Sequence, residues 1–238
     1  DAPIFLDGDD DKLTTLKDRA HTFGLSSSFE VWADQVEHLG FEGVRCQIHA
    51  SGQSMEVTIP IPGIHMVYNA MAGTSVGLAL GLSMEEIRSG IEALKPLGGR
   101  SNILHTGRYT LLDDCYNANP VSMCAMLDVL NDTRARKIAI LGDMGELGAD
   151  TEKLHASVGE HFKKLQIDVL ITIGELSQAI HEAAKRSAPH TVCLHYNDPE
   201  AFLPDAPGIL KSQDAVLIKA SHYMGFERIV AALSDHKG

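Results

Sequence analysis

Between Val44 and Ile59 apolar and polar residues alternate, first through Val44, Cys46 and Ile48 and again through Met55, Val57 and Ile59, with Ser51-Gly52-Gln53 between the two runs. Alternation places one set of side chains on one face of a strand, so the segment predicts a β-hairpin with one buried face. Upstream, Ala2 to Leu6 predicts a strand that runs into a turn at Asp7-Gly8-Asp9-Asp10-Asp11, and residues 1 to about 60 lean to β throughout. Pro60 and Pro62 end the second hairpin strand, and the period then changes. Gly63-Ile64-His65 leads into an apolar, small-residue helix expected from about Val67 to Leu80. A second helix, Met84 to Leu94, starts on the capping pair Ser83 and Glu86. Lys95-Pro96-Leu97-Gly98-Gly99-Arg100 interrupts both periods with a proline and two glycines, and is the expected boundary between a domain over residues 1–97 and another over residues 98–238. Beyond it, strand-like runs near 109–113, 137–142, 168–173, 191–195 and 215–219 alternate with helical patterns. That order predicts an α/β domain with a doubly wound, mostly parallel sheet.

Composition narrows the partners. With 238 residues and 44% hydrophobic content the chain is long enough for one large or two ordinary globular domains. The formal charge is -12, and Lys and Arg are dispersed along the chain in runs of no more than two. Nucleic-acid binders gather positive charge on one face, so no nucleic-acid partner is expected. The most apolar run, Ala70 to Leu82, is broken by glycines and shorter than the roughly 20 apolar residues that cross a bilayer, so no membrane insertion is expected. Cys46, Cys115, Cys124 and Cys193 lack paired or ligand-like spacing, which fits isolated thiols in a reducing compartment. No signal-peptide pattern opens the chain, and the expected location is cytoplasmic. The first strand reads as if entered in mid-domain, so a piece of a longer enzyme is the expectation.

The chemistry concentrates in Asp113-Asp114-Cys115-Tyr116-Asn117-Ala118-Asn119-Pro120-Val121-Ser122-Met123, which puts carboxylates, amides and a phenol on one strand-to-helix turn. Arg108 to Leu112 reads as the strand before it, and Pro120 takes the first position of a helix carrying Met123, Met126, Leu127 and Leu130 on one face. The carboxyl edge of an open α/β sheet is where ligands bind, and helix N-termini there offer N–H groups to anions. Adjacent strand residues face opposite ways, so Asp113 and Asp114 do not work as an acid/base pair. An Asx turn with an N-cap accounts for Asn119 and Pro120 but leaves Asp114, Tyr116 and Asn117 without a packing reason. Asp143 and Glu146 follow the strand Lys137 to Leu141 at the same edge, either complementing a helix dipole or lining a cleft. Lys219 and Ser221 end the last strand, as surface polar residues or as part of the same rim. Arg100, after two glycines, is either a solvated arginine or a guanidinium set over phosphates. His65 and Asn69, four apart, share one face at the start of their helix, as a cap and a core-facing amide or as ligand contacts.

Taken in order, Gly63-Ile64-His65-Met66-Val67-Tyr68-Asn69-Ala70, Gly99-Arg100, DDCYNANPVSM, Leu141-Gly142-Asp143-Met144-Gly145-Glu146-Leu147-Gly148, His155 and Lys219-Ala220-Ser221 resemble the C-terminal part of the Mur ligases across roughly residues 60 to 230. DxYNANP and LGDMxELG point, within that family, to the branch that adds D-alanyl-D-alanine to UDP-N-acetylmuramoyl-tripeptide. The resemblance implies the later part of a central ATPase domain over residues 1–97 and a Rossmann-like C-terminal domain over residues 98–238. It implies an ATP-dependent, ADP-forming peptide ligase of peptidoglycan synthesis, serving cell wall biogenesis, cell shape and cell division, with ATP and Mg²⁺ as cofactors and a monomeric parent. By the same resemblance Arg100 reaches toward ATP and joins His65 as catalytic, and Asn69 contacts the adenine. Asp114 accepts from the ribose with Tyr116 beside it, while Asn117, Asn119 and Ser122 line the cleft for the incoming dipeptide. Asp143 and Glu146 hold its ammonium end, Lys219 and Ser221 contact its carboxylate, and His155 orders the loop. Met66 stands where the family block has an asparagine, and Ala220 where it has glycine, so close approach of a ligand to that backbone is expected to be restricted.

The 238 residues contain no GxxxxGK[ST] loop to cradle phosphates. The resemblance places that loop, the Mg²⁺-binding glutamate and a carbamylated lysine upstream, and implies that this stretch alone is inactive. Two alternatives stand beside it. One is a related ligase of the folylpolyglutamate- or cyanophycin-synthetase type, which shares the GxHN and Gly-Arg elements but not DxYNANP or LGDMxELG. The other is a non-catalytic binding or scaffold module, which a P-loop in the parent gene would rule against.

Overall fold

The hairpin forms where the alternation places it, within a five-stranded sheet. The structure, a computed structural model, describes residues 2–96 and 98–234 and divides into two compact units, Asp1–Lys95 and Pro96–Gly238. Leu97, in the predicted linker, lies outside the described residues. In the first unit β1 (Phe5–Asp7), β2 (His21–Gly24) and β3 (Val31–His38) run parallel. β4 (Val44–Ala50) and β5 (Gln53–Ile59) then follow antiparallel in the order β1-β2-β3-β4-β5. Ser51 and Gly52 close the hairpin with φ of 50° and 74°, the left-handed pair that matches the twist of the flanking strands. A bulge in β3 lies between Asp34 and Glu37, with Gln35 left-handed. Val44, Cys46, Ile48 and Ala50 from β4 and Met55, Val57 and Ile59 from β5 form the buried face with Val67, Met71, Ile87 and Ile91. The last four come from α1 (His65–Ala79) and α2 (Met84–Glu92). Ser83 and Glu86 make the predicted capping box. Burial pushes the Cys46 thiol up to about 11, in keeping with an inert core residue.

The second unit is built around a six-stranded sheet. An edge strand absent from the sequence prediction, β6 (Asn102–His105), pairs antiparallel with β7 (Thr110–Asp114). The chain continues through α3 (Pro120–Asn131), β8 (Lys137–Gly142), α4 (Thr151–His161), β9 (Val169–Ile173), α5 (Gln178–Ser187), β10 (Val192–Tyr196), the short α6 (Pro199–Phe202) and α7 (Ala206–Ile209), β11 (Ala215–Lys219) and α8 (Glu227–Ser234). The order is β10-β9-β8-β11-β7-β6, and every pair except β6–β7 is parallel. β9 and β11 are buried along their whole length, as central strands covered on both faces must be. β11, last in the chain, inserts between β7 and β8, so the ends of those three strands meet at one sheet edge.

α4 and α5 cross at Gly159, where a Cβ would lie 2.3 Å from the Ile180 carbonyl oxygen and 2.7 Å from Ala183 Cβ. Backbone cannot yield as a flexible side chain can. Gly159→Ala is expected to lower the unfolding free energy by about 1–3 kcal/mol, measured as a shift in the urea midpoint with the slope unchanged.

Candidate functional site

Lys219 closes β11 and is 1% exposed. A lysine at that depth requires a partner. Its Nζ donates to Asp114 Oδ2 and, at 2.8 Å, to the Asn117 carbonyl. Register produces the pair, because Lys219 lies opposite Asp114 on β7 and opposite Leu141 on β8. The second oxygen, Asp114 Oδ1, accepts the Ser101 N–H at 2.9 Å. The residues expected to meet a ribose and a substrate carboxylate therefore face each other and brace the turn beyond β7. Asp113, on the opposite face, accepts the Cys115 N–H at 3.3 Å. The Cys115 thiol donates to Ile218 O at 3.4 Å, and burial, helped by Asp113, pushes it far above its usual range.

Past this brace, Asn117 is exposed, its Oδ1 accepting the Ala118 N–H at 2.8 Å. Asn119 and Ser122 form a capping box at the start of α3, with Ser122 N–H donating to Asn119 Oδ1 at 2.9 Å and Asn119 N–H to Ser122 Oγ at 3.1 Å. Their polar groups are spent on the orphan donors of the first helical turn. Tyr116 is exposed on the same loop, with the Arg100 guanidinium carbon 4.1 Å from its ring centroid.

Asp143 follows β8 and joins three loops. Its Oδ1 accepts the Ser177 N–H at 2.7 Å, and its carbonyl accepts the Ser221 N–H at 3.0 Å. Gly174, with φ +117°, leaves room for the carboxylate, since a Cβ there would sit 2.5 Å from Oδ1. Ser221 Oγ in turn accepts the Gly145 N–H at 2.8 Å. The wholly buried His155 accepts the Met144 N–H on Nε2 at 2.9 Å, which places its proton on Nδ1, 2.8 Å from Thr151 O. Glu146, exposed and with φ 61°, is left at the outside of this loop. Ala220 turns its methyl into the core against Phe226, in space that Gly142 vacates.

The second unit thus gathers Arg100, Asp114, Tyr116, Asn117, Asn119, Ser122, Asp143, Glu146, Lys219 and Ser221 around the ends of β7, β8 and β11. His65 and Asn69 belong to the first unit, on the first turns of α1, where Asn69 is exposed and Nδ2 donates to Met66 Sδ at 3.3 Å. Ser101, Gly174 and Ser177 were missed by sequence reasoning. The available signal was Gly174 directly after the β9 run, a glycine at a strand's carboxyl end. On the next strand His195 Nδ1 meets Thr172 Oγ1 at 2.9 Å, and burial lowers the His195 pKa against the pull of Asp143.

The family described as Mur ligase, glutamate ligase domain, matches residues 99–222. The chain is 31% identical over 202 residues to the UDP-N-acetylmuramoyl-tripeptide--D-alanyl-D-alanine ligase of Escherichia coli (strain K12), covering 84% of this chain and 43% of that protein. It is 33% identical over 180 residues to the ligase of the same name from Bacillus subtilis (strain 168), covering 74% and 39%. It therefore spans less than half the length of these relatives. Among solved structures it is similar to MurF from Acinetobacter baumannii, with TM-score 0.86 at 27% identity over 97% of this chain and 51% of that one. The fold also matches MurF ligase from Thermotoga maritima in complex with ADP, with TM-score 0.82 at 21% identity over 98% and 53%.

Removing one member of a buried ion pair strands the other charge. Lys219→Met is expected to cost about 3–5 kcal/mol in urea unfolding, and the double variant Lys219→Met/Asp114→Asn to recover part of it. His195 carries a folded pKa below its ordinary value, so its stabilising contribution is present above the usual histidine range and is lost as pH falls through it. Between about pH 7 and pH 5, His195→Asn should therefore flatten the decline in thermal stability relative to the unsubstituted chain.

Proposed function

Since the chain belongs to the Mur ligase family, we propose that it is the acceptor-side half of an ATP-dependent, ADP-forming ligase that joins D-alanyl-D-alanine to UDP-N-acetylmuramoyl-tripeptide in peptidoglycan synthesis. Residues 1–97 are the later part of the central ATP-binding domain, and residues 98–238 are the C-terminal domain. The observation that carries the proposal is the convergence of the loops after β7, β8 and β11 at one carboxyl edge, in a chain 31% identical to a ligase named for this reaction.

In the proposed reaction the tripeptide carboxylate oxygen attacks the γ-phosphorus of ATP, ADP leaves, and an acyl phosphate forms. The dipeptide amine then attacks the acyl carbon, loses a proton and expels phosphate. Catalysis of this kind rests on positioning and on neutralising charge. Arg100 supplies a planar fork of donors to the phosphates. The exposed Asn117 amide serves the dipeptide without adding charge, and Glu146 meets its ammonium group before deprotonation. Lys219 with Asp114, and Asp143 with Ser221 and His155, hold the loops that carry these groups. Asn69 contacts the adenine and His65 lies beside it on the same helix. Mg²⁺ would neutralise phosphate charge, but among the described residues no group of three or more His, Cys, Asp or Glu side chains is placed to hold a metal. Also among them, no helix is long and apolar enough to cross a membrane. A nucleotide-linked substrate and an ATP-consuming step fit a cytoplasmic setting.

Calorimetric titration of the chain with D-alanyl-D-alanine tests the acceptor assignment. Saturable heat is expected, and Asn117→Ala should weaken it by about tenfold, the cost of one lost hydrogen bond to a charged group. No saturable heat with the unsubstituted chain would overturn an acceptor site carried by this chain.

A further inference from the structure

Tyr116 is 48% exposed, a large aromatic half in water. The two residues that flank Arg100 are both tied to the end of β7. Tyr116 N–H donates to Gly99 O at 2.9 Å, and Ser101 N–H donates to Asp114 Oδ1 at 2.9 Å. Gly99 and Ser101 are both left-handed, with φ of 70° and 48°. Serine adopts that conformation only where its surroundings hold it, and here the bond to Asp114 and the burial of Ser101 do so. The chain is thereby turned so that Arg100 crosses the phenol, its guanidinium carbon 4.1 Å from the ring centroid. The His222 ring lies 5.6 Å from the same centroid, tilted by 33°.

We propose that Tyr116 is a positioning residue for Arg100, holding the guanidinium against its ring so that the donor fork meets phosphates in one orientation. The guanidinium covers one face of the ring and closes that face to a nucleobase, and through it Tyr116 acts on Arg100. An arginine free in water samples many rotamers, and ordering it on binding costs affinity. The stack removes part of that cost in advance, by cation–π attraction that needs the ring and not the hydroxyl. The phosphate end of this inference rests on the function proposed above; the hold on Arg100 does not.

The test uses the whole chain labelled with ¹⁵N, with the Arg100 Nε–Hε resonance assigned by its disappearance in Arg100→Lys. The expected result is a ring-current-shifted, motionally restricted Arg100 signal in the unsubstituted chain and in Tyr116→Phe. In Tyr116→Leu the signal should move to the mobile, unshifted position while the thermal midpoint stays within that of the other variants. In parallel, ADP affinity should fall about two- to fivefold in Tyr116→Leu and be restored in Tyr116→Phe. An unshifted Arg100 signal in the unsubstituted chain overturns the proposal. So does a Phe variant that behaves like Leu, or a Leu variant that binds ADP as tightly as the parent chain. A shifted signal with no ADP binding by the unsubstituted chain upholds the hold on Arg100 and shows that this chain alone does not bind the nucleotide.

Discussion

A buried ammonium cannot be left unpaired, and the rest of the second unit's carboxyl edge follows from how Lys219 meets that constraint. Burying either charge alone is far more costly than burying the two together. β11 must therefore lie beside β7 in the register that sets Lys219 against Asp114. The remaining valences of the pair go to backbone, one to the Asn117 carbonyl and one to the Ser101 N–H. One ion pair thus fixes the turn beyond β7 and the segment that carries Arg100. The arrangement is costly to assemble and hard to deform, which suits a place where exposed groups must be held in fixed relation.

The second anchor, Asp143, works by a different means. Among the described residues no cation faces it at hydrogen-bonding distance; its carboxylate and carbonyl take main-chain N–H groups from the loops after β9 and β11. Ser221 and His155 extend the same logic, each receiving an N–H from the loop after β8. Several side chains that a motif marks as ligand contacts are here occupied within the protein, and those exposed to water are Arg100, Tyr116, Asn117, Asn119 and Glu146. A motif of polar residues at a sheet edge is accordingly a mixture of scaffold and reagent, and hydrogen-bond partners separate the two.

Much of the fold was legible because its signals are local. The hairpin came from alternation and a Ser-Gly turn, α2 from a capping box, and the buried strands β8, β9 and β11 from short, mainly apolar runs. β6 was not legible: four residues with one half-polar face, Asn102 to His105, are too short to show a period, and only pairing with β7 makes them a strand. At the site, sequence located the three loops and named most of the residues that meet there. It did not reveal which of them face one another. The pairing of Lys219 with Asp114 spans 105 positions in the chain, and the seat of Asp143 depends on a glycine and a backbone N–H from another loop. Non-local contacts of that kind leave no pattern in a single sequence.

Gly142 ends β8 under the Phe226 ring and the Ala220 methyl, at 2.5 Å and 2.7 Å from where its own Cβ would be. Two positions, one ending β8 and one just past β11, therefore share one methyl-sized volume. While alanine holds position 220, position 142 is closed to every other residue; with glycine at 220, part of that restriction would lift. The Phe226 ring would still crowd a side chain at 142, so a larger residue at the end of β8 requires both neighbours to give way together.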